Sequence, residues 1–179
     1  MKTQLSGSLN LPVSARDHTQ GLATASITLA EYGDYECPYC GETYPIVKQL
    51  QEKLGERLRF VFRNFPLSAA HPHAQDAAEA AETAAAQDRF WEMHDLLFEN
   101  QEALEHGDLI RYARELGLDA VRFKNELSRH THAPRVREDF MSGVRSSVNG
   151  TPTFFINGVR HDTSFDFDTL LSALERSSR

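Results

Sequence analysis

The segment Cys37-Pro38-Tyr39-Cys40 contains both cysteines of this 179-residue chain and lies where one sequence pattern gives way to another. Before it, residues 26–32 are rich in β-formers, which predicts a strand. After it, apolar residues recur at helical spacing until Gly55, which predicts a helix over residues 38–54 with a glycine cap. The cysteine pair is therefore expected at the junction of a strand and a helix.

The rest of the chain predicts a sheet that is interrupted by helices. Residues 58–64 alternate apolar and basic side chains, which predicts a second strand, parallel to the first, with Arg57, Arg59 and Arg63 on a solvated face. Helical stripes over residues 69–130, beginning with an alanine face at 74–85, predict an all-helical insertion, and a further helix runs from about residue 136 until Asn149-Gly150. A hairpin at 153–161 and a last helix with apolar residues from 167 to 174 complete the pattern.

The charge balance excludes several classes of partner. The chain has 19 Lys and Arg residues against 26 Asp and Glu residues, a formal net charge of -7. This balance argues against a nucleic-acid surface or a polybasic membrane surface, since both need clustered positive charge. No apolar run approaches a membrane span, and residues 1–8 lack the apolar core of a signal peptide. These features predict a soluble cytoplasmic chain, or a periplasmic one if a leader was removed.

The position of Cys37 predicts an acidic thiol. Pro38 suits the first residue of a helix, which makes Cys37 the N-cap and directs its sulfur at the free amides of Tyr39 and Cys40. A thiolate is stabilised there, and its pKa can fall from about 8.5 into a range of roughly 3.5 to 7.5. Cys37 is therefore the predicted nucleophile. Cys40, one turn further into the helix, is expected to be shielded until it attacks a mixed disulfide on Cys37.

Other interpretations of the cysteines and histidines are less well supported. A structural disulfide closing so small a loop would contribute on the order of 2 kcal/mol, and a reducing cytoplasm would open it. A zinc site would need two more ligands, but the eight histidines do not have the usual spacing. Polar packing is a simpler role than catalysis for His71, His73 and His94, and Asp34 and Glu36 are expected only to adjust the acidity or access of the nucleophile.

Several motifs together resemble the DsbA-like thioredoxin-fold oxidoreductases, in particular the branch that also occurs fused to bacterial sodium/proton antiporters. The resemblance spans about residues 23–177, and its motifs, in the family's order, are at residues 31–40, 63–67, 71–74, 90–95 and 150–158. It implies a thioredoxin-like α/β core built from both ends of the chain and an all-helical insertion. The expected divisions are an N-terminal arm at 1–22, core at 23–68, insertion at 69–130 and core again at 131–179.

The resemblance also implies roles for residues that the local pattern leaves open. Strand alternation allows Glu31 to face either the interior or solvent, whereas relatives keep an acidic residue at this spacing beneath the second cysteine. Thr151-Pro152 alone would be an ordinary trans pair, since only about 5–6% of X-Pro bonds are cis. By resemblance it is the cis-proline loop facing the cysteines, where Thr151 offers backbone groups to substrate. Pro38 and Tyr39 are expected to contact substrate as well.

The sequence therefore predicts a thiol–disulfide oxidoreductase in which Cys37 exchanges disulfides, Cys40 resolves them and Glu31 assists proton transfer. Its expected partners are protein thiols or disulfides and a redox-recycling protein, and it needs no metal or organic cofactor. The direction of exchange depends on the redox potential of the cysteine pair and stays open. Two alternatives also stay open: a glutathione-dependent transferase or isomerase of the same fold, and a non-catalytic module that senses redox state.

Overall fold

The computed structural model describes residues 7–178 as a mixed sheet with helices on both faces. The strands are β1 (His18–Gln20), β2 (Ile27–Gly33), β3 (Leu58–Asn64), β4 (Thr153–Ile156) and β5 (Val159–His161). The helices are α1 (Pro38–Leu54), α2 (Ala74–Ala85), α3 (Phe90–Glu99), α4 (His106–Glu115), α5 (Ala120–Ser128), α6 (Ala133–Arg145) and α7 (Phe167–Ser177). A short 3₁₀ turn, Gly55–Arg57, links α1 to β3.

The strand order, β1-β3-β2-β4-β5, places β2 at the centre of the sheet. β2 and β3 are parallel, with Ile27 opposite Leu58, so α1 is the crossover of a βαβ unit, as the sequence predicts. β4 lies antiparallel on the other side of β2, with Phe154 opposite Glu31. The predicted bounds of α1 and β3 are confirmed to the residue, and α1 ends at Leu54 with Gly55 as its C-cap, at a positive φ of 53°.

The two faces of the sheet have separate apolar cores. The first face carries Ile27, Leu29 and Phe62, which pack with the buried residues of α1, α7 and the inserted helices. The second face carries Tyr32, Val61, Phe65 and Phe155, and is partly covered by α6. α6 approaches this face closely at Gly143, where an added Cβ would lie 2.7 Å from the Phe65 ring. Both faces are therefore buried.

Five consecutive helices, α2 to α6, separate β3 from β4. The alanine face of α2 is buried, as its spacing predicts, and α2 contacts α3, α4, α5 and α6. Small side chains let those helices approach closely. The structure confirms a helical insertion in a thioredoxin-like core, while the boundaries at residues 69 and 130 stay predictions.

The end of α6 and the N-terminal arm differ in detail from the sequence expectations. α6 ends at Arg145, before the predicted break at Asn149-Gly150, because the chain turns at Ser147 with a φ of 62°. The N-terminal arm contains a short strand, β1, which pairs antiparallel with β3. Residues 1–6 of the arm, and with them most of the segment 1–8 that lacks the apolar core of a signal peptide, lie outside the described residues. Within residues 7–178, no helix is long and apolar enough to cross a membrane.

The predicted solvated face of Arg57, Arg59 and Arg63 is wrong for Arg63. Its side chain is fully buried and forms an ion pair with Asp17, with Nε of Arg63 2.8 Å from Oδ1. Arg59 is half-buried, and only Arg57 is exposed. The alternation of β3 is real, but α6 and the arm cover the face that the sequence pattern assigns to solvent.

Candidate active site

Cys37 is the N-cap of α1, as predicted, and Pro38 is the first helical residue. The backbone turns into the helix there, because the Cys37 amide donates to the Asp34 carbonyl and the Gly41 amide donates to the Cys37 carbonyl. Cys37 is only 3% exposed, whereas Tyr39 beside it is 67% exposed. Both cysteines are free thiols. Access to the sulfur is therefore narrow and bordered by the exposed Pro38-Tyr39 pair.

The surroundings of Cys37 lower the pKa of its thiol to about 5. The largest cause is a hydrogen bond from the Cys40 thiol, which outweighs the opposing effect of burial. The Thr151 side chain and the backbone amides of Cys40 and Tyr39 lower the pKa further. The helix N-terminus thus contributes as the sequence predicts, but the second cysteine contributes more.

Cys40 has the opposite character. It is completely buried, and burial, followed by the hydrogen bond to Cys37, raises the pKa of its thiol well above the usual value. The Asp34 amide lies 3.5 Å from its sulfur. At neutral pH the pair therefore consists of one thiolate and one thiol.

Glu31 faces the interior of the first sheet face and is 3% exposed, so the solvent-facing alternative is wrong. Burial, and then the negative charge of Cys37, raise the pKa of its carboxyl to about 8. No hydrogen bond or cation in the described part of the chain counters that shift. Glu31 can therefore exchange a proton near neutral pH.

Thr151 and Pro152 arrive from the far end of the chain, between α6 and β4. Their peptide bond is cis, which agrees with the expectation from the resemblance. When it is protonated, the Cys37 thiol donates to the Thr151 carbonyl, which lies 3.4 Å from the sulfur. A cleft of about 290 Å³ beside this loop is lined by residues 149–153 together with Arg160, His161, Asp162 and Phe165.

Asp34 organises the loop before Cys37 more strongly than the sequence predicts. Its Oδ1 accepts from the Glu36 amide at 2.8 Å, and its Oδ2 accepts from the Leu67 amide at 2.9 Å. Oδ2 also lies 2.7 Å from Nδ1 of His71. Burial lowers the pKa of His71, but its hydrogen bond to Asp34 and the negative charges of Asp34, Cys37 and Glu36 together raise it above its ordinary value. The Asp-x-Glu spacing of an Asx turn is the one local signal for this role.

The contacts of His73 and His94 indicate structural roles. His73 is the N-cap of α2, and its amide donates to Glu36 at 2.6 Å. His94 is buried, with Nδ1 3.1 Å from the Tyr35 hydroxyl and its ring packed edge-on against Phe62. Burial, and then the charges of Lys48 and His18, lower the pKa of His94 well below its ordinary value. His94 therefore stays neutral, which favours the predicted packing role.

Gln101, in the connection between α3 and α4, is a contact of the cysteine loop that sequence reasoning missed. Its side-chain amide donates to the carbonyls of Tyr35 and Cys37 at 2.8 and 2.9 Å. No local pattern could have identified it, because the contact joins residues more than 60 positions apart.

One group within residues 7–178 has potential metal ligands close together. Asp76, Glu79 and His130 have ligand atoms within 4.8 Å of one another. The Glu79 carboxylate already pairs with Nδ1 of His130 at 3.0 Å and accepts from Gln75 at 2.8 Å. This group includes neither cysteine.

The chain is similar to known proteins over nearly all of its length. The family model described as Thioredoxin matches residues 14–176. The chain is 47% identical over 167 residues to Na(+)/H(+) antiporter NhaA 3 of Salinispora tropica, which covers 93% of this chain and 26% of that protein. It is 43% identical over 163 residues to Na(+)/H(+) antiporter NhaA of Herminiimonas arsenicoxydans, covering 91% of this chain and 26% of that protein. The chain thus spans about a quarter of the length of these curated relatives.

Two solved structures share its fold. Oxidised BdbD from Bacillus subtilis superposes with a TM-score of 0.86 at 25% identity, and the match covers 97% of both chains. α-DsbA1 from Wolbachia pipientis superposes with a TM-score of 0.79 at 19% identity, covering 95% of this chain and 94% of that one. The core and its helical insertion are therefore those of the DsbA-like proteins.

Proposed function

Because the chain belongs to the thioredoxin family, we propose that it is a thiol–disulfide oxidoreductase that exchanges disulfides with protein substrates through Cys37 and Cys40. One observation carries the proposal: an acidic thiol and a buried, unreactive thiol share one helical turn, and the Thr151 carbonyl lies 3.4 Å from the acidic one. Thiol–disulfide exchange needs this asymmetry, since one sulfur must attack while the other waits.

The first step uses Cys37. Its thiolate attacks one sulfur of a substrate disulfide, a new S–S bond forms, and the substrate's second sulfur leaves as a thiolate that takes a proton from solvent. The backbone groups of Thr151 are positioned to hold the substrate segment next to Cys37. Pro38 and Tyr39, both exposed, form the other border of this contact.

The second step uses Cys40 and Glu31. The Cys40 thiol gives its proton to the Glu31 carboxylate and attacks the Cys37 sulfur, which releases the reduced substrate and leaves the protein oxidised by two electrons. The Cys37 charge that helps keep Glu31 protonated disappears when Cys37 enters the mixed disulfide. More of Glu31 is then ionised at neutral pH, when Cys40 needs a base. The same steps in reverse oxidise a substrate dithiol.

Insulin reduction by the wild-type protein and by Cys40→Ser tests this proposal. We expect the wild type to be active and Cys40→Ser to lose most of its activity. Full retention in Cys40→Ser would instead favour glutathione-dependent transferase or isomerase chemistry, which does not need the second thiol. Inactivity of both proteins would favour a non-catalytic module that senses redox state.

The reactivity of Cys37 provides a second test. The intact pair gives the Cys37 thiol a pKa of about 5. Cys40→Ala leaves one thiol to be counted and removes the Cys40 hydrogen bond, so alkylation in this variant should rise with pH around a midpoint above 5 and still well below the roughly 8.5 of a free cysteine. A midpoint at or above 8.5 would contradict the assignment of Cys37 as the nucleophile.

Trapping in cells identifies the partners. Cys40→Ala cannot resolve a mixed disulfide, so client proteins and the redox-recycling partner should accumulate on Cys37. Cys37→Ala/Cys40→Ala is the matched control and should trap nothing. The identity of the trapped proteins also reports the compartment in which the chain works and the net direction of exchange.

A further inference from the structure

Gln101 contacts the cysteine loop at the point where the reactive sulfur is attached. Its two bonds use both hydrogens of one amide nitrogen, because Nε2 donates to the Tyr35 carbonyl at 2.8 Å and to the Cys37 carbonyl at 2.9 Å. The two carbonyls must converge on one point to allow this, so the contact depends on the turn of the loop. Gln101 itself lies in the helical insertion.

The same loop is held from the other side by Asp34. Its carboxylate accepts from the Glu36 amide, the N–H that lies between the two carbonyls bound by Gln101. The polar backbone groups of residues 35–37 are thus held by an acceptor on one side and a donor on the other. The Cys37 carbonyl also accepts from the Gly41 amide, so Gln101 adds a second donor to the first turn of α1.

Gly41 makes the contact possible. A Cβ at this position would lie 2.7 Å from Cδ of Gln101 and closer still to Oε1. Glycine in a helix interior is unfavourable compared with alanine, so its presence next to Cys40 fits a position where another group must approach the backbone closely. That group is the Gln101 amide.

We propose that Gln101 is a positioning residue for Cys37, through which the helical insertion holds the backbone that carries the reactive sulfur. The inference rests on the proposed function, because it assigns Gln101 a part in the chemistry of that sulfur. Without the amide, two partly negative carbonyl oxygens beside Cys37 lose a shared donor. A thiolate at Cys37 is then less favourable.

The test is the pH profile of Cys37 alkylation between pH 4 and pH 10, with Cys40→Ala as the common background. Gln101→Ala should raise the midpoint by about half a pH unit and slow alkylation at the background's own midpoint about twofold. Gln101→Glu replaces the donor by an acceptor and should raise the midpoint further, by about one unit. At pH 10, where Cys37 is ionised in every variant, the rates should converge.

Gly41→Ala provides an independent variant that leaves Gln101 in the chain. If Gly41 were only a helix position, alanine would stabilise α1 and leave the profile unchanged. We expect instead that the new Cβ displaces the amide and shifts the midpoint in the same direction as Gln101→Ala. The combined variant Gly41→Ala/Gln101→Ala should shift it no further than the larger single change, since both remove one interaction.

Gln87→Ala is the matched control. Gln87 also bonds a loop backbone twice, accepting from the Asp119 amide at 2.9 Å and donating to its carbonyl at 3.4 Å, but within the insertion alone. It should leave the profile unchanged. An equal shift in Gln87→Ala, or rates that still differ at pH 10, would mean that the substitutions loosen the fold in general, and would overturn the proposal. An unchanged midpoint in both Gln101 variants would overturn it as well.

Alkylation does not require disulfide exchange, so the two proposals fail separately. An inactive wild type in the insulin assay would remove the proposed function, whatever Gln101 does to the midpoint. Conversely, the wild type could be active in the insulin assay while substitutions at Gln101 and Gly41 leave the alkylation midpoint unchanged. That result would support the proposed function and contradict the positioning role of Gln101.

Discussion

Glu31 and Asp17 are both buried carboxyl groups beside the same sheet, and their surroundings differ completely. Glu31 lies on the first sheet face among apolar side chains, and burial followed by the charge of Cys37 raises its pKa to about 8. Asp17 lies on the second face. Burial alone would raise its pKa too, but hydrogen bonds from Arg63 and the Ser14 amide lower it below the ordinary value.

The difference lies in the partners, since both groups are shielded from water. Arg63 uses Nε and Nη2 for Asp17, and its remaining hydrogens reach the Leu11 and Pro12 carbonyls and the Tyr32 hydroxyl. The pair thereby fastens the N-terminal arm to β3. A buried acid with a complete set of partners stays ionised and holds structure together, whereas one without partners stays protonated and is available for proton transfer.

Arg63→Met should produce the largest change, because it leaves Asp17 buried without its cation. We expect a loss of about 3–5 kcal/mol in the free energy of unfolding, measured by urea denaturation at pH 7. Asp17→Leu/Arg63→Met should recover part of that loss, since no lone charge remains. Arg16→Ala is the control: it removes an exposed pair with Glu138 and should cost no more than about 1 kcal/mol. If Arg63→Met and Arg16→Ala lowered the free energy of unfolding by similar amounts, the buried pair would contribute no more to stability than the exposed one.

Glu31→Gln should change the pH dependence of stability. The pKa of Glu31 is raised on folding, so its bound proton stabilises the folded state fully below about pH 4.5, and this contribution is lost as pH rises towards 8. Between those pH values, reduced wild type should lose on the order of 2–4 kcal/mol relative to Glu31→Gln. Urea denaturation at a series of pH values measures this difference. Parallel curves for the two proteins would show that Glu31 is not kept protonated by the fold.

The same variant should slow the resolution of mixed disulfides. Glutamine keeps the shape of Glu31 but cannot accept the Cys40 proton, so we expect release of a preformed mixed disulfide to slow on the order of tenfold or more at pH 7. Stopped-flow release of a chromogenic thiol from Cys37 would measure it. Alkylation of Cys37 should change much less. If Glu31→Gln released the thiol at the wild-type rate across pH 6 to 8, the Glu31 carboxylate would have no part in resolution.

The smallest expected change is the effect of Cys37→Ser on the pKa of Glu31. It removes the charge that is the second cause of the raised pKa but leaves burial, the first. The pKa of Glu31 should therefore fall by about one unit and stay above its ordinary value. A carboxyl-carbon NMR titration would follow it. Cys40→Ser is the control, because it keeps the Cys37 sulfur and should leave the pKa of Glu31 well above its usual range. A fall of the Glu31 pKa to about 4.5 in Cys37→Ser would mean that burial contributes little to the shift.

Much of the fold follows from local patterns. The bounds of α1 and β3 agree with the sequence to the residue, because the proline start, the glycine stop and the apolar spacing all lie within the elements themselves. Cys37 at the N-cap is equally local. The alanine face of α2 and the hairpin of β4 and β5 were predictable for the same reason, since each depends on residues a few positions apart.

Arg63 shows where that reasoning fails. A strand alternates its side chains whether or not the second face is covered, so the basic positions of β3 predict solvent equally well in either case. The cover comes from Asp17 and from α6, which begins about 70 residues after Arg63. For Glu31, strand alternation is compatible with a side chain that points inward or outward. The burial of the first sheet face shows that it points inward.

Short-range spacing and backbone preference are enough to predict the order of strands and helices along the chain, the helical insertion and a cysteine at a helix N-terminus. They do not predict which buried acid has a partner, that the Thr151 carbonyl lies beside a sulfur 114 positions earlier, or that Gln101 reaches the carbonyls of the cysteine loop. Charge state and positioning depend on groups that are close in space and distant along the chain. Local periodicity carries no information about such distances.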